Sequence, residues 1–149
     1  MAEIKLGYVT LKNTSDKKIA FIPYKENFAS YVDAGCTMAI PVKTVGQALY
    51  YLNQAKAGFE VENVAETPAE DKEGKIFVIP AAATVTITNL EAEGGRTMAF
   101  IPYRENFQVD VKPGDEFKFD IDNPGQFIYY ANQDTGAAGI DVKLVKKSS

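Results

Sequence analysis

The chain has 149 residues, a formal net charge of −4, 46% hydrophobic and 24% charged residues, a globular composition rather than a disordered or fibrous one. A single Cys, Cys36, excludes an internal disulfide, and the absence of His excludes His-based triads, His general bases and His-ligated zinc or copper. No run approaches the ~18 apolar residues of a membrane helix, and Met1-Ala2-Glu3-Ile4-Lys5 lacks the apolar core of a signal peptide.

Along the first half, short β-prone runs are separated by turn residues such as Asn13-Thr14-Ser15-Asp16. This predicts strands over 5–12, 18–24, 28–34, 36–44, 47–53 and 58–64. Met38, Ile40 and Val42 form the inward face of the fourth, and Pro41 marks it as an edge strand or a bulge. Val45 to Lys56 is the one helical candidate, and the Pro124-Gly125 aligned with its start argues for a strand instead.

Residues 65–74, Ala-Glu-Thr-Pro-Ala-Glu-Asp-Lys-Glu-Gly, carry four acids and one Lys and read as an acidic, solvated linker. Residues 1–64 carry a net +1 and residues 75–149 a net −2, so neither half has a strong single-sign balance. In the second half strands are predicted over 76–80, 84–89, 96–103, 107–112, 115–121, 126–132 and 139–145. Phe117, Phe119 and Ile121 alternate with charged residues, the pattern of a half-buried strand. Lys112-Pro113-Gly114-Asp115 and Asp122-Asn123-Pro124-Gly125 supply turns.

The two halves repeat each other. Ala20-Phe21-Ile22-Pro23-Tyr24-Lys25-Glu26-Asn27-Phe28 returns 79 positions later as Ala99-Phe100-Ile101-Pro102-Tyr103-Arg104-Glu105-Asn106-Phe107, with eight of nine residues identical. The alignment continues without a gap to Gln54 and Gln133, and 16 of 35 positions are identical. The chain therefore reads as a duplication: repeat 1 over 1–64, the linker, and repeat 2 over 75–149. Modules this small bury only about 60% of their unfolded surface and are marginal alone, which points to packing on each other or on a partner.

The retained segment is the leading candidate site. Packing and turn formation account for Phe21, Ile22 and Phe28; as a surface, Tyr24, Lys25, Glu26 and Asn27 with Tyr103, Arg104, Glu105 and Asn106 become protein contacts. Tyr50-Tyr51 and Tyr129-Tyr130, read as strand residues, point to opposite faces, and Tyr51 and Tyr130 join the candidate contacts. Glu26 and Glu105 sit at equivalent positions of separate copies, so nothing in the sequence joins them as a catalytic pair. Cys36 aligns with Asp115 and reads as an adventitious small residue. No catalytic residue, metal ligand or cofactor is expected, and no nucleic-acid, membrane or small-molecule partner.

Val111-Lys112-Pro113-Gly114-Asp115 followed by Pro124-Gly125-Gln126-Phe127-Ile128-Tyr129-Tyr130 resembles the closing strands of a cupredoxin. The copper ligands of that family are replaced by Ala131, Asp134 and Gly139, and in the first copy by Leu52 and Ala55, so the resemblance implies the sandwich and not the metal. The expected fold is all-β: two tandem homologous small antiparallel β-sandwich modules, immunoglobulin-like or cupredoxin-like. Tandem acidic β-modules of this kind resemble the auxiliary (decoration) proteins of tailed-bacteriophage capsids. That resemblance implies a non-enzymatic structural protein of the virion, made in the host bacterial cytoplasm, that binds the capsid exterior and bridges major capsid protein subunits. A carbohydrate-binding or adhesive module on a bacterial surface is the alternative.

Overall fold

In the computed structural model, which describes residues 3–70, 73–132 and 140–146, the period-two patterns of the sequence become short strands in several small sheets. The described residues hold eleven strands and two helices. They fall into two compact units, Met1–Ile79 and Pro80–Ser149.

In the first unit, Val9, Leu11 and Asn13 alternate with Tyr8, Thr10 and Lys12 along β1 (Tyr8–Asn13), and the first set is fully buried. Beside β1 lie β4 (Thr37–Pro41) and β5 (Phe59–Val64), both antiparallel to it. The register sets Val9 opposite Ile40 and Leu11 opposite Met38, so these four side chains share the core face. A separate ribbon pairs β2 (Ile19–Phe21) with β3 (Ser30–Val32). Phe21 and Phe59 stack at 6.4 Å between ring centroids and are both buried.

Residues 45–52 are helical, not extended: α1 spans Val45–Leu52. Thr44 is its N-cap, and its hydroxyl accepts the Gln47 N–H while the Gln47 side chain accepts the Thr44 N–H. That reciprocal pair satisfies two otherwise orphaned donors and fixes the helix start. Eight residues are too few to be stable alone, so the helix depends on docking Ala48 and Tyr51 into the core.

The segment Ile76–Val78, expected to open the second copy, instead forms β6 and pairs in parallel with β4 of the first unit. Thr37 N–H donates to Lys75 O at 2.7 Å and Ile79 N–H to Ala39 O at 2.8 Å. The four-stranded order is β5-β1-β4-β6. Thus β4 is an interior strand. Pro41 is tolerated because β6 pairs only with residues 37–39, and the missing N–H falls beyond that stretch.

In the second unit β7 (Ala83–Asn89) alternates buried and half-buried residues without a break. It is the centre of a three-stranded antiparallel sheet with β10 (Glu116–Ile121) and β11 (Ile140–Lys146), while β8 (Met98–Phe100) and β9 (Val109–Val111) form a ribbon. Residues 126–132, also expected as a strand, lie in α2 (Pro124–Asn132). The Pro124-Gly125 pair that argued against a helix starts one: Pro at the first helical position lacks only a donor that would be unsatisfied anyway. Asn123 caps it, its side-chain oxygen accepting the Gly125 N–H at 2.7 Å and its carbonyl the Phe127 N–H at 3.1 Å. Phe127, Ile128 and Tyr130 face the core. Of the alternating set on β10, Ile121 is buried, Phe119 half-buried and Phe117 36% exposed.

Candidate functional site

In each unit the retained segment is a tight turn between the ribbon strands, held down by two consecutive helix tyrosines. Glu26 N–H donates to Pro23 O at 3.0 Å, and Glu105 N–H donates to Pro102 O at 3.0 Å. The third residue of each turn is left-handed, Lys25 at φ 60° and Arg104 at φ 61°. That geometry belongs to type II turns, which favour Gly or Asn at this position.

The helix turns the tyrosine pair into a clamp. Successive helical side chains diverge by roughly 100° rather than pointing to opposite faces. Tyr51 goes inward and accepts the Tyr24 N–H at 2.9 Å, while Tyr50 donates to Ile22 O at 2.6 Å. In the second unit Tyr130 accepts the Tyr103 N–H at 2.9 Å, and Tyr129 donates to Ile101 O at 2.5 Å. The Tyr24 and Tyr50 rings meet edge to face at 5.6 Å, as do those of Tyr103 and Tyr129. Burial raises the Tyr51 hydroxyl well above its ordinary range, with the accepted N–H opposing and the nearby Tyr50 and Glu26 reinforcing it. Burial likewise raises Tyr129 and Tyr130. All three stay protonated at neutral pH.

Tyr51 and Tyr130 are 3% and 4% exposed, which makes them parts of the core rather than contact residues. Tyr24 and Tyr103 are half-buried. The outward set is Lys25 and Asn27 in the first unit and Arg104, Glu105 and Asn106 in the second, with Glu26 half-buried. Ile22 and Ile101 project beside them, each 46% exposed. The Lys25 ammonium lies 5.5 Å from the Tyr24 ring centroid and the Arg104 guanidinium 5.2 Å from that of Tyr103. Glu26 and Glu105 belong to different units, each within its own turn.

A second recurring feature escapes an alignment at constant offset. Asn13 is buried, and its amide donates to Lys17 O at 2.6 Å and Val32 O at 2.8 Å. Asn89 does the same to Arg96 O and Val111 O, both at 2.8 Å. Their side-chain oxygens accept the N–H two residues on, from Ser15 and Glu91. These asparagines tie the central strand to the ribbon. They are 76 positions apart, not 79, because the loop after Asn89 is three residues longer; Val9-Thr10 and Val85-Thr86 are the matching signal at that offset.

Cys36 is half-buried in the turn leading to β4, at the position that Asp115 takes in the corresponding turn of the second unit. Among the described residues no cluster of three His, Cys, Asp or Glu could hold a metal ion. No helix among them is long and apolar enough to cross a membrane. Comparison with protein-family models, curated protein sequences and solved structures gives no match.

Proposed function

We propose that the chain is a non-enzymatic structural protein: two tandem homologous small β-sandwich modules, each presenting its clamped turn to a protein surface. The surface proposed is the exterior lattice of a tailed-phage capsid, where two turns on one chain bridge neighbouring major capsid protein subunits. The observation that carries the reading is the cation at the left-handed turn position of both modules.

Magnitudes favour display over fold stability as its purpose. A non-Gly residue in this conformation costs about 1–2 kcal/mol, while an exposed cation over a tyrosine returns about 0.5–1 kcal/mol. Glycine would serve the turn better. A long basic side chain held in strained backbone is the kind of exception that accompanies a binding role. Ile22 and Ile101 add an apolar anchor beside each cation, and the tyrosine clamp lowers the ordering cost on binding. Two such turns on one chain multiply weak contacts into useful avidity when both engage. The complementary surface is apolar with anionic or carbonyl groups at its rim.

Particles purified from the native source and separated by density test this reading. The protein should band with the capsids in fixed stoichiometry and be absent from particles lacking it genetically. Its recovery only in soluble or cell-surface fractions, with glycan binding, would replace the capsid reading with the carbohydrate one.

A further inference from the structure

The two units use the same sheet edge differently. In the first, β4 has β1 on one side and β6 on the other, so the edge is covered. In the second, β10 pairs with β7 and is the end strand of its sheet among the described residues. Thr37 and Ala39 use their outward N–H and C=O to bind β6. The equivalent positions, 79 residues on, are Glu116 and Lys118.

Behind that edge lies an apolar depression of about 320 Å³, lined by Phe100, Pro102, Val109, Phe117, Phe119 and Tyr130. The first unit shows what fills the corresponding place. Continuing the β4–β6 register by one residue sets Ile79 beside Ile40 on the core face, where both are 1% exposed. Phe119 is the counterpart of Ile40, and Phe117, the counterpart of Met38, remains 36% exposed.

We infer that the β10 edge accepts a parallel strand from another polypeptide, with alternating apolar and charged residues in the order cation, apolar, acid, apolar. The register of β6 assigns each position. Apolar residues at the places of Phe77 and Ile79 enter the depression beside Phe117 and Phe119. On the opposite face, where Ile76 and Val78 lie beside Thr37 and Ala39, the second unit presents Glu116 and Lys118 instead. A cation belongs opposite the first and an acid opposite the second. Strand addition of this kind takes affinity from backbone hydrogen bonds and specificity from alternate side chains. The added strand pairs along β10, its depression borders the second clamped turn through Pro102 and Tyr130, and the inference stands independently of the capsid reading.

The probe is a labelled peptide with the sequence of residues 73–80 carrying Ile76→Lys and Val78→Glu, titrated into the full chain by fluorescence anisotropy. A second peptide reverses those two charges. The matched peptide should bind saturably, and the reversed one about tenfold more weakly. N-methylation at the Ile79 position, whose N–H would donate to Lys118 O, should abolish binding without touching the protein. In the exposed variant Lys118→Glu, a peptide with Lys at both outer positions should become the tighter ligand. Absent binding, equal affinity for the two peptides, indifference to N-methylation or an unchanged preference in Lys118→Glu would each overturn the inference.

Discussion

The Tyr51 hydroxyl accepts the Tyr24 backbone N–H at 2.9 Å across 27 residues of sequence. Tyr130 and Tyr103 repeat the bond at the same length and separation. The neighbouring tyrosine in each helix closes the other half of the clamp, on the carbonyl two residues earlier in the turn. A turn held at both its donor and its acceptor cannot shift register without losing two hydrogen bonds. Identity of the segment between the copies is therefore accounted for first by folding.

Removing single hydroxyls separates the two halves of the clamp. Tyr51→Phe leaves the part-buried Tyr24 N–H without its acceptor and should cost about 1–3 kcal/mol. Tyr50→Phe removes a donor from an exposed carbonyl that water can satisfy, at about 0.5–1 kcal/mol. Denaturant unfolding at neutral pH checks the order, and Tyr130→Phe against Tyr129→Phe should reproduce it. Equal losses within a pair would place both bonds on the same footing.

Lys25→Gly and Arg104→Gly should each leave the stability of their unit within about 0.5 kcal/mol of the parent, because relief of left-handed strain offsets the added freedom of the unfolded chain and the lost cation–ring contact. Lys25→Ala keeps the strain, loses the ring contact and should be slightly destabilising. Unfolding midpoints at constant m-value decide it. Stability kept in the glycine variants together with partner binding lost would be the signature of a strained residue kept for recognition.

Alkaline pH should unfold the protein through the same tyrosines. Their folded pKa values are raised by burial, so above about pH 10 the unfolded chain releases protons that the folded one retains. Stability is then complete below the unfolded value near 10 and falls as pH rises toward the folded values. Each buried tyrosine adds at most about 1.4 kcal/mol per pH unit. A Tyr51→Phe, Tyr130→Phe double variant should lose most of that slope while remaining less stable at neutral pH.

The buried asparagines give a test of the tie between strand and ribbon. Asn13→Ala removes the partners of the Val32 carbonyl and the Ser15 N–H and should cost about 2–3 kcal/mol. Asn89→Ala should cost the second unit a similar amount. Hydrogen exchange at β3 or β9 should accelerate with the global loss.

Much of this architecture was legible in the sequence, and the exceptions have physical causes. Alternation at Val9, Leu11 and Asn13, and at Val85, Ile87 and Asn89, marks the central strands directly. The helices were hidden because eight or nine residues show too little 3.6-residue periodicity. A Pro-Gly pair also reads equally as a turn or as a first helical turn, and the capping bonds of Thr44 and Asn123 decide between them. Reading Tyr50-Tyr51 as strand residues then sent the wrong ring outward. The placement of Ile76–Val78 was not legible, since a parallel partner 39 residues away leaves no local pattern. On the candidate site, the sequence identified the turn residues but not the clamp, whose bonds span 27 and 28 residues.

Occupancy on particles, compared between the unmodified chain and Lys25→Glu, Arg104→Glu and their combination, tests the bivalent turn most directly. Each variant's fold is checked beforehand by its unfolding midpoint. The account predicts that either single reversal weakens attachment and that the pair abolishes it, because one turn alone lacks the avidity of two. Full occupancy by a folded double variant would contradict it.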